Sequence, residues 1–171
     1  MTLFSFDFDD TLCHTPDQHE GKRQWEKTTG LTWPYGGWWG KAESLDTEVF
    51  YIPKNEWVYQ KYLDAVSEEE SYVIMATGRL QKVPGMRANV DKILNQHNLS
   101  FDEIHLNWGG DTFRFKTTLF EQLIKKTKCD HFVMYDDRHE HIVKFIEWAR
   151  SQSCDVTIVD VKNKTTRTIK N

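Results

Sequence analysis

Leu3-Phe4-Ser5-Phe6-Asp7-Phe8-Asp9-Asp10-Thr11-Leu12 is the stretch that most constrains the fold. Leu3 to Phe6 is an apolar run with the character of a buried strand. Asp7, Asp9 and Asp10 then crowd three carboxylates at the end of that strand. Like charges this close raise one another's pKa and destabilise the segment. A divalent cation removes the penalty, and hard oxygen ligands suit magnesium. Residues two apart on a strand share a face, so Asp7 and Asp9 set out in the same direction. One carboxylate could then attack an electrophile while the other handles protons. Alone, such a triplet is equally at home in a solvated turn; its meaning depends on what the rest of the chain brings to it.

A chain of 171 residues supports one domain with a substantial core. The apolar share of 39% and charged share of 28% are those of an ordinary globular protein. A net charge of −4 supplies no general attraction for nucleic acid. Cys13, Cys129 and Cys154 are widely spaced and form no CxxC pair, so neither a zinc site nor a disulfide framework is indicated. A reducing, cytoplasmic setting is expected. No apolar run reaches membrane-spanning length, and the chain enters a strand within a few residues, so neither a membrane nor a signal peptide is expected. Nothing points to an obligate protein partner.

Strand and helix signals alternate outward from the opening stretch. Residues Cys13 to about Pro53 read as an irregular polar and aromatic region holding Trp25, Trp33, Trp38 and Trp39, with Gly36-Gly37 among them. Trp57, Val58, Tyr62, Leu63 and Val66 fall at helical spacing over Glu56 to Ser67. Tyr72 to Ala76 is a short buried strand ending at Thr77-Gly78-Arg79. A helix is expected over Met86 to Gln96, a strand over Phe101 to Leu106, and a helix through Phe115, Leu119, Phe120, Leu123 and Ile124. His131 to Tyr135 is a strand that runs into Asp136-Asp137-Arg138, and Ile142 to Ala149 is helical. Val156 to Val159 and Thr165 to Lys170 complete the pattern as strands, the last at an edge. This alternation predicts an α/β fold with a mostly parallel sheet. Asp7 with Asp9, Thr77 with Arg79, and Asp136 with Asp137 all fall at the carboxyl ends of strands. That edge of an open α/β sheet is where ligands bind, and random placement would not choose it three times.

The order Asp7-x-Asp9-x-Thr11-Leu12, Thr77, Lys116, Asp136-Asp137 resembles the haloacid dehalogenase (HAD) superfamily, whose four motifs it presents in sequence. The resemblance implies a Rossmann-like three-layer αβα sandwich, in one domain over 1–171, with a small cap insertion after the first strand at about 14–55. It implies Asp7 as nucleophile, Asp9 as acid/base, Thr77 as a phosphoryl-oxygen ligand and Lys116 as the neutralising cation. Mg2+ would be held by Asp7, Asp9 through its backbone carbonyl, and Asp136 or Asp137. Asp10 stands where many members carry glycine. Lys125, Lys126 and Lys128 compete with Lys116 for the third motif, but they sit at a helix C-terminus, where lysine is favoured anyway.

Two narrower resemblances concern substrate. Leu12-x-x-Thr15-Pro16, Gly37-Trp38-Trp39 and Asp136-Asp137-Arg138-x-x-His141 are similar to the HAD domain described as Swiss-army-knife RNA-repair-like. Gly110-Asp111-Thr112, Lys116, Asp136-Asp137-Arg138 and Trp148-x-Arg150 are similar to the phosphatase half of phage-type polynucleotide kinase-phosphatases. Both imply a phosphorylated nucleic-acid end, with a 3′-phosphate expected. A nucleotidase acting on nucleoside monophosphates and a silent HAD-fold binding module are the alternatives. Thr11, Gly78, Arg79, Arg138, Trp38 and Trp39 are the candidate substrate contacts. Arg79 faces two options: a second phosphate, or Asp136 or Asp137. Trp38 and Trp39 either stack on a base or form the core of the insertion.

Overall fold

β1, Thr2–Phe6, lies at the centre of a six-stranded sheet because four of its five residues are buried from both sides. The computed structural model describes residues 1–171. In chain order the elements after β1 are α1 (Gln18–Thr29), a 3-10 turn (Ala42–Leu45), α2 (Glu56–Ser67) and β2 (Ser71–Leu80). Then follow α3 (Met86–Gln96), β3 (Glu103–Asn107), α4 (Thr112–Thr127), β4 (His131–Asp136), α5 (His139–Ala149), β5 (Asp155–Asp160) and β6 (Thr165–Ile169). The strand order is β3-β2-β1-β4-β5-β6. All neighbours are parallel except β5 and β6, whose antiparallel pairing leaves a polar, exposed edge.

Two apolar layers cover the sheet and make the expected αβα sandwich. Phe4, Phe6 and Phe8 pack on one face with α2, α3 and the residues of the insertion. Leu3, Ile74 and Phe132 pack on the other with α4 and α5. The alternation of β1 explains this: Leu3 and Phe4 point to opposite faces.

The sheet order reverses between β1 and β4, where β1 connects outward to β2 while β4 connects outward to β5. Such a switch point opens a crevice at the strand carboxyl ends. Phe6 is in register with Tyr135, so Asp7 and Asp136, each the next residue, emerge level with each other.

Two expectations need correction. The region after Cys13 is not wholly irregular, because α1 occupies twelve of its residues. Asp17 caps it by accepting from the His19 and Glu20 amides, and Gly30 ends it in the left-handed region at φ 73°. The helix has almost no apolar face, and its one buried residue is Gly21. A Cβ there would come within 2.2 Å of the Trp38 ring, so only glycine lets α1 lie on that indole. Second, β2 does not stop at Ala76 but runs to Leu80, with a register shift against β3 between Thr77 and Leu80. Thr77, Gly78 and Arg79 thus belong to an irregular strand end, a place where bulges re-aim side chains.

Candidate active site

Asp7 is the first residue beyond β1, and its amide donates to the Tyr135 carbonyl at 3.0 Å, continuing the ladder by one bond. The chain then coils tightly. Leu12 N donates to Asp7 O at 3.3 Å, and Asp10 adopts a left-handed φ of 53°. Aspartate tolerates that conformation better than most residues, which explains how it serves where glycine would be easiest. Thr11 is fully buried at the base of the coil, and its Oγ1 reaches Asp7 Oδ2 at 3.3 Å and Asp137 Oδ1 at 3.4 Å. It props these carboxylates from behind; the expected substrate contact is not one it can make directly.

Lys116 comes from the first turns of α4 and is 2% exposed. Its ammonium donates to Asp7 Oδ1 at 2.8 Å and to Asp136 Oδ2 at 2.7 Å. Lys126 instead pairs with Glu103 on the surface, away from this cluster. Carboxylate oxygens of Asp7, Asp136 and Asp137 all lie within 4.8 Å of one another. Arg138 closes the loop behind them, its amide donating to Asp136 Oδ1 at 3.0 Å. Its guanidinium turns outward to Glu140.

The electrostatics are strained without a further cation. Burial pushes the Asp7 carboxyl well up; Lys116 pulls it back, and the charges of Asp136 and Asp137 push it further. Burial, with help from Asp136 and Asp10, raises Asp137 to about 6. Burial alone would lower the Lys116 ammonium, but Asp136 and Asp7 outweigh it and hold it up. Three carboxylates against one ammonium leave two negative charges in excess. A hard divalent cation matches both that excess and an all-oxygen donor set, so these residues fit magnesium.

Asp9 is separate from this cluster. Its Oδ1 accepts from Thr15 Oγ1 at 2.7 Å and from Arg79 Nη2 at 2.7 Å. Arg79 therefore pairs with neither Asp136 nor Asp137, contrary to one of its two expected roles. Only 3% exposed, it also donates to the Trp39 carbonyl at 2.9 Å and to Ser44 Oγ at 2.6 Å. The reason is position: β2 is next to β1, while Asp136 ends β4 and Asp137 follows it on the far side of β1. Thr77 is fully buried, and its hydroxyl oxygen accepts from the Arg79 amide at 3.2 Å. It lies behind the wall that Gly78 and Arg79 present. A Cβ on Gly78 would come within 2.7 Å of Thr112 Oγ1, so glycine lets α4 close against β2.

Asp7, Asp9, Asp10, Gly78, Arg79, Lys116, Asp137 and Arg138 surround one cavity of about 430 Å³, whose single apolar wall is Trp39. Trp39 is 43% exposed, with the Arg79 guanidinium 5.1 Å from its ring centroid. Trp38 lies outside this cavity. It is 1% exposed, its indole N–H donates to the Pro16 carbonyl at 2.9 Å, and Trp33 and Phe50 pack on it. Of the two roles open to Trp38, stacking on a base or forming the core of the insertion, its burial corresponds to the core. Thr112 lines the cavity although its motif carried no assigned role. Thr15 and Ser44 hold Asp9 and Arg79; Thr15 stood in a motif without an assigned role, and no local pattern marks Ser44. His141 is packed among Phe113 and Phe145 and does not reach the cavity.

A carboxylate set at the switch point of a β3-β2-β1-β4-β5-β6 sheet, with Lys116 reaching in from a following helix, defines a HAD-type domain. Residues 28–169 match the model of HAD domain family 1 in Swiss Army Knife RNA repair proteins, and the chain belongs to that family. The matched stretch carries Thr77, Lys116, Asp136 and Asp137; Asp7 and Asp9 precede it. No curated protein and no solved structure matches the chain. No helix is long and apolar enough to cross a membrane.

Proposed function

We propose that this chain is a magnesium-dependent phosphomonoesterase that removes a terminal phosphate, a 3′-phosphate by preference, from nucleic acid. The observation that carries it is the convergence of Asp7, Asp136 and Asp137 within 4.8 Å around Lys116, with Asp9 two residues from Asp7 on the same cavity. The family's description, which names RNA repair, and the aromatic wall of Trp39 support a nucleic-acid end. The whole chain acts as one domain, with residues 14–55 as a small cap.

In this reading an Asp7 oxygen attacks phosphorus, and the bond to the leaving oxygen breaks as Asp9 gives that oxygen a proton. The aspartyl phosphate is then hydrolysed. Asp9 takes a proton from water, the water oxygen bonds to phosphorus, and Asp7 is released with inorganic phosphate. Lys116 and the Gly78 amide neutralise the phosphoryl oxygens, and Arg138, on the cavity lining, is a candidate contact for the rest of the substrate. Asp7, Asp136 or Asp137, and the Asp9 carbonyl would hold magnesium, which supplies charge neutralisation that lets one anion approach another. Thr11 and Thr77 position these groups from beneath. Buried free thiols fit a reducing, cytoplasmic setting.

The cavity is also of a size for one nucleoside monophosphate, so nucleotidase action is the second reading. Turnover of an aryl phosphate, of nucleoside 3′- and 5′-monophosphates and of a 3′-phosphorylated oligonucleotide, each with magnesium and with chelator, tests both. Asp7→Asn should abolish turnover, and Asp9→Asn should slow it by about 10²- to 10⁴-fold. Full activity of Asp7→Asn would sink the covalent mechanism. Higher kcat/KM on monophosphates than on the oligonucleotide would favour the nucleotidase. A chain inert on every substrate would be the silent binding module.

A further inference from the structure

Beside the catalytic cavity lies a second hollow, of about 480 Å³, that none of the roles above uses. Trp108, Asp111 and Arg114 line it, and the polar side chains of Thr118 and Gln122 extend it along α4. Asp111 lines this hollow and the next residue, Thr112, lines the catalytic cavity, so the start of α4 separates the two.

Trp108 is 49% exposed, yet it is held firmly. It follows β3 in a loop pinned by Asn107, itself 1% exposed, whose Nδ2 donates to the Gly110 carbonyl at 3.0 Å. The same side chain accepts from the Gly109 amide at 2.9 Å. Gly109 and Gly110 take φ values of 141° and 81°, which side-chain-bearing residues rarely adopt. The indole stands edge-on to the buried Phe115, with centroids 5.1 Å apart and planes at 84°. A tryptophan that merely trimmed the core would need no such frame. Arg114, in the first turn of α4, is exposed, and its hydrogen bonds are made by its backbone: the amide donates to Asp111 Oδ1 and the carbonyl accepts from Thr117 Oγ1 at 3.2 Å. Its guanidinium is therefore free of partners.

One rigid π-face beside one unpaired guanidinium is the pair of groups that a nucleotide's base and phosphate require. A protein-docking patch would instead be broader and more apolar. Trp39 comes from the insertion, on the sheet face that carries α2 and α3, whereas Trp108 leans on α4 of the other face. The two aromatics thus serve different directions out of the site.

We infer that Trp108 and Arg114 form a second nucleotide subsite, in which the base next to the phosphorylated end of a single strand stacks on Trp108 and its phosphate meets Arg114. This rests on the nucleic-acid reading above. The subsite makes the enzyme prefer a strand over a single nucleotide, because remote binding is used at the transition state.

The test compares wild type, Trp108→Ala, Trp108→Phe and Arg114→Gln on an aryl phosphate, a nucleoside 3′-monophosphate and a 3′-phosphorylated tetraribonucleotide. Trp108→Ala should lose about 5- to 100-fold in kcat/KM on the tetranucleotide alone, the usual cost of one lost base–aromatic stack. Trp108→Phe should retain most of the activity. Arg114→Gln should lose activity on the tetranucleotide at low salt and converge on wild type at high salt. Equal losses on all three substrates would overturn the inference, showing that Trp108 only supports Lys116 through Phe115. Unchanged tetranucleotide turnover in Trp108→Ala and Arg114→Gln would also overturn it. If Trp108→Ala does not fold, Arg114→Gln and Trp108→Phe still decide the matter. A wild type with no preference for the tetranucleotide, or with no turnover, removes the nucleic-acid reading and the inference together. A wild type that prefers the strand while the variants keep that preference removes the inference alone.

Discussion

Arg79 grips Asp9 by a fork, with Nη2 2.7 Å from Oδ1 and Nε 3.0 Å from Oδ2. The other arm of the same guanidinium holds Ser44 and the Trp39 carbonyl. One buried side chain thus ties the insertion to the carboxylate proposed as acid/base. A guanidinium suits this because its donors lie in one plane and serve several acceptors at once.

Arg79→Lys should therefore not behave as a conservative change. It keeps the charge but loses the fork, and kcat should fall on aryl phosphate as well as on larger substrates. Arg79→Ala leaves Asp9 without its partner and should cost about 3 kcal/mol of stability, as removing one member of a buried pair usually does. Denaturant unfolding beside steady-state kinetics checks both; a wild-type kcat in Arg79→Lys would show that the geometry of the grip does not matter.

The neighbouring tryptophans should separate cleanly. Trp38→Ala should destabilise by about 3–5 kcal/mol, as large core truncations do. Trp39→Ala should cost less than about 1 kcal/mol, chiefly its contact with the Arg79 guanidinium, while weakening oligonucleotide turnover. Melting curves with a substrate panel distinguish the two, and similar losses of stability would contradict the placement of Trp39 on the cavity wall.

Gly21→Ala should destabilise by about 1–3 kcal/mol through overpacking against Trp38, since its Cβ would lie 2.2 Å from that ring. Gly36→Ala is the control, because nothing lies within 4 Å of a Cβ there and its φ is not positive. It should be neutral or mildly stabilising. Paired urea titrations measure the contrast, which equal midpoints would refute.

Asp137 gives a pH signature. Burial and the nearby Asp136 raise its carboxyl from 3.8 to about 6 in the folded protein. Between those values the folded state binds more protons than the unfolded one, so metal-free stability should fall as pH rises through that window and stay lowered above it. Asp137→Asn should shrink this fall without removing it, because Asp7 is raised as well, and should be more stable at pH 7 by about 1–2 kcal/mol, discounted for the solvent that reaches this half-buried group. Magnesium should raise the melting temperature of wild type at pH 7 much more than that of the variant. Thermal melts across pH 4–7, with and without magnesium, provide the measurement. A wild-type curve that climbs through the window would reverse the sign.

The amino-acid sequence by itself determined the alternation of strands and helices and the edge on which the carboxylates gather. Those features are local. The apolar runs of β1, β2, β4 and β5 and the helical spacing of α2 and α3 each lie within a few residues of one another. The same locality placed Asp7, Asp9, Asp136 and Asp137 at strand ends. α1 escaped because Trp25 is its one large apolar residue and its one fully buried position is a glycine, so it carries no hydrophobic periodicity. Only the tertiary structure decided which of two adjacent tryptophans is core, since Trp38 is fixed by a carbonyl 22 residues away. It alone paired Arg79 with Asp9 across 70 residues and set Lys116 on Asp7 across 109. Propensity and periodicity act over a turn or a strand, whereas a buried charge goes wherever the packed sheet brings an opposite charge within reach, and that distance is set by strand order.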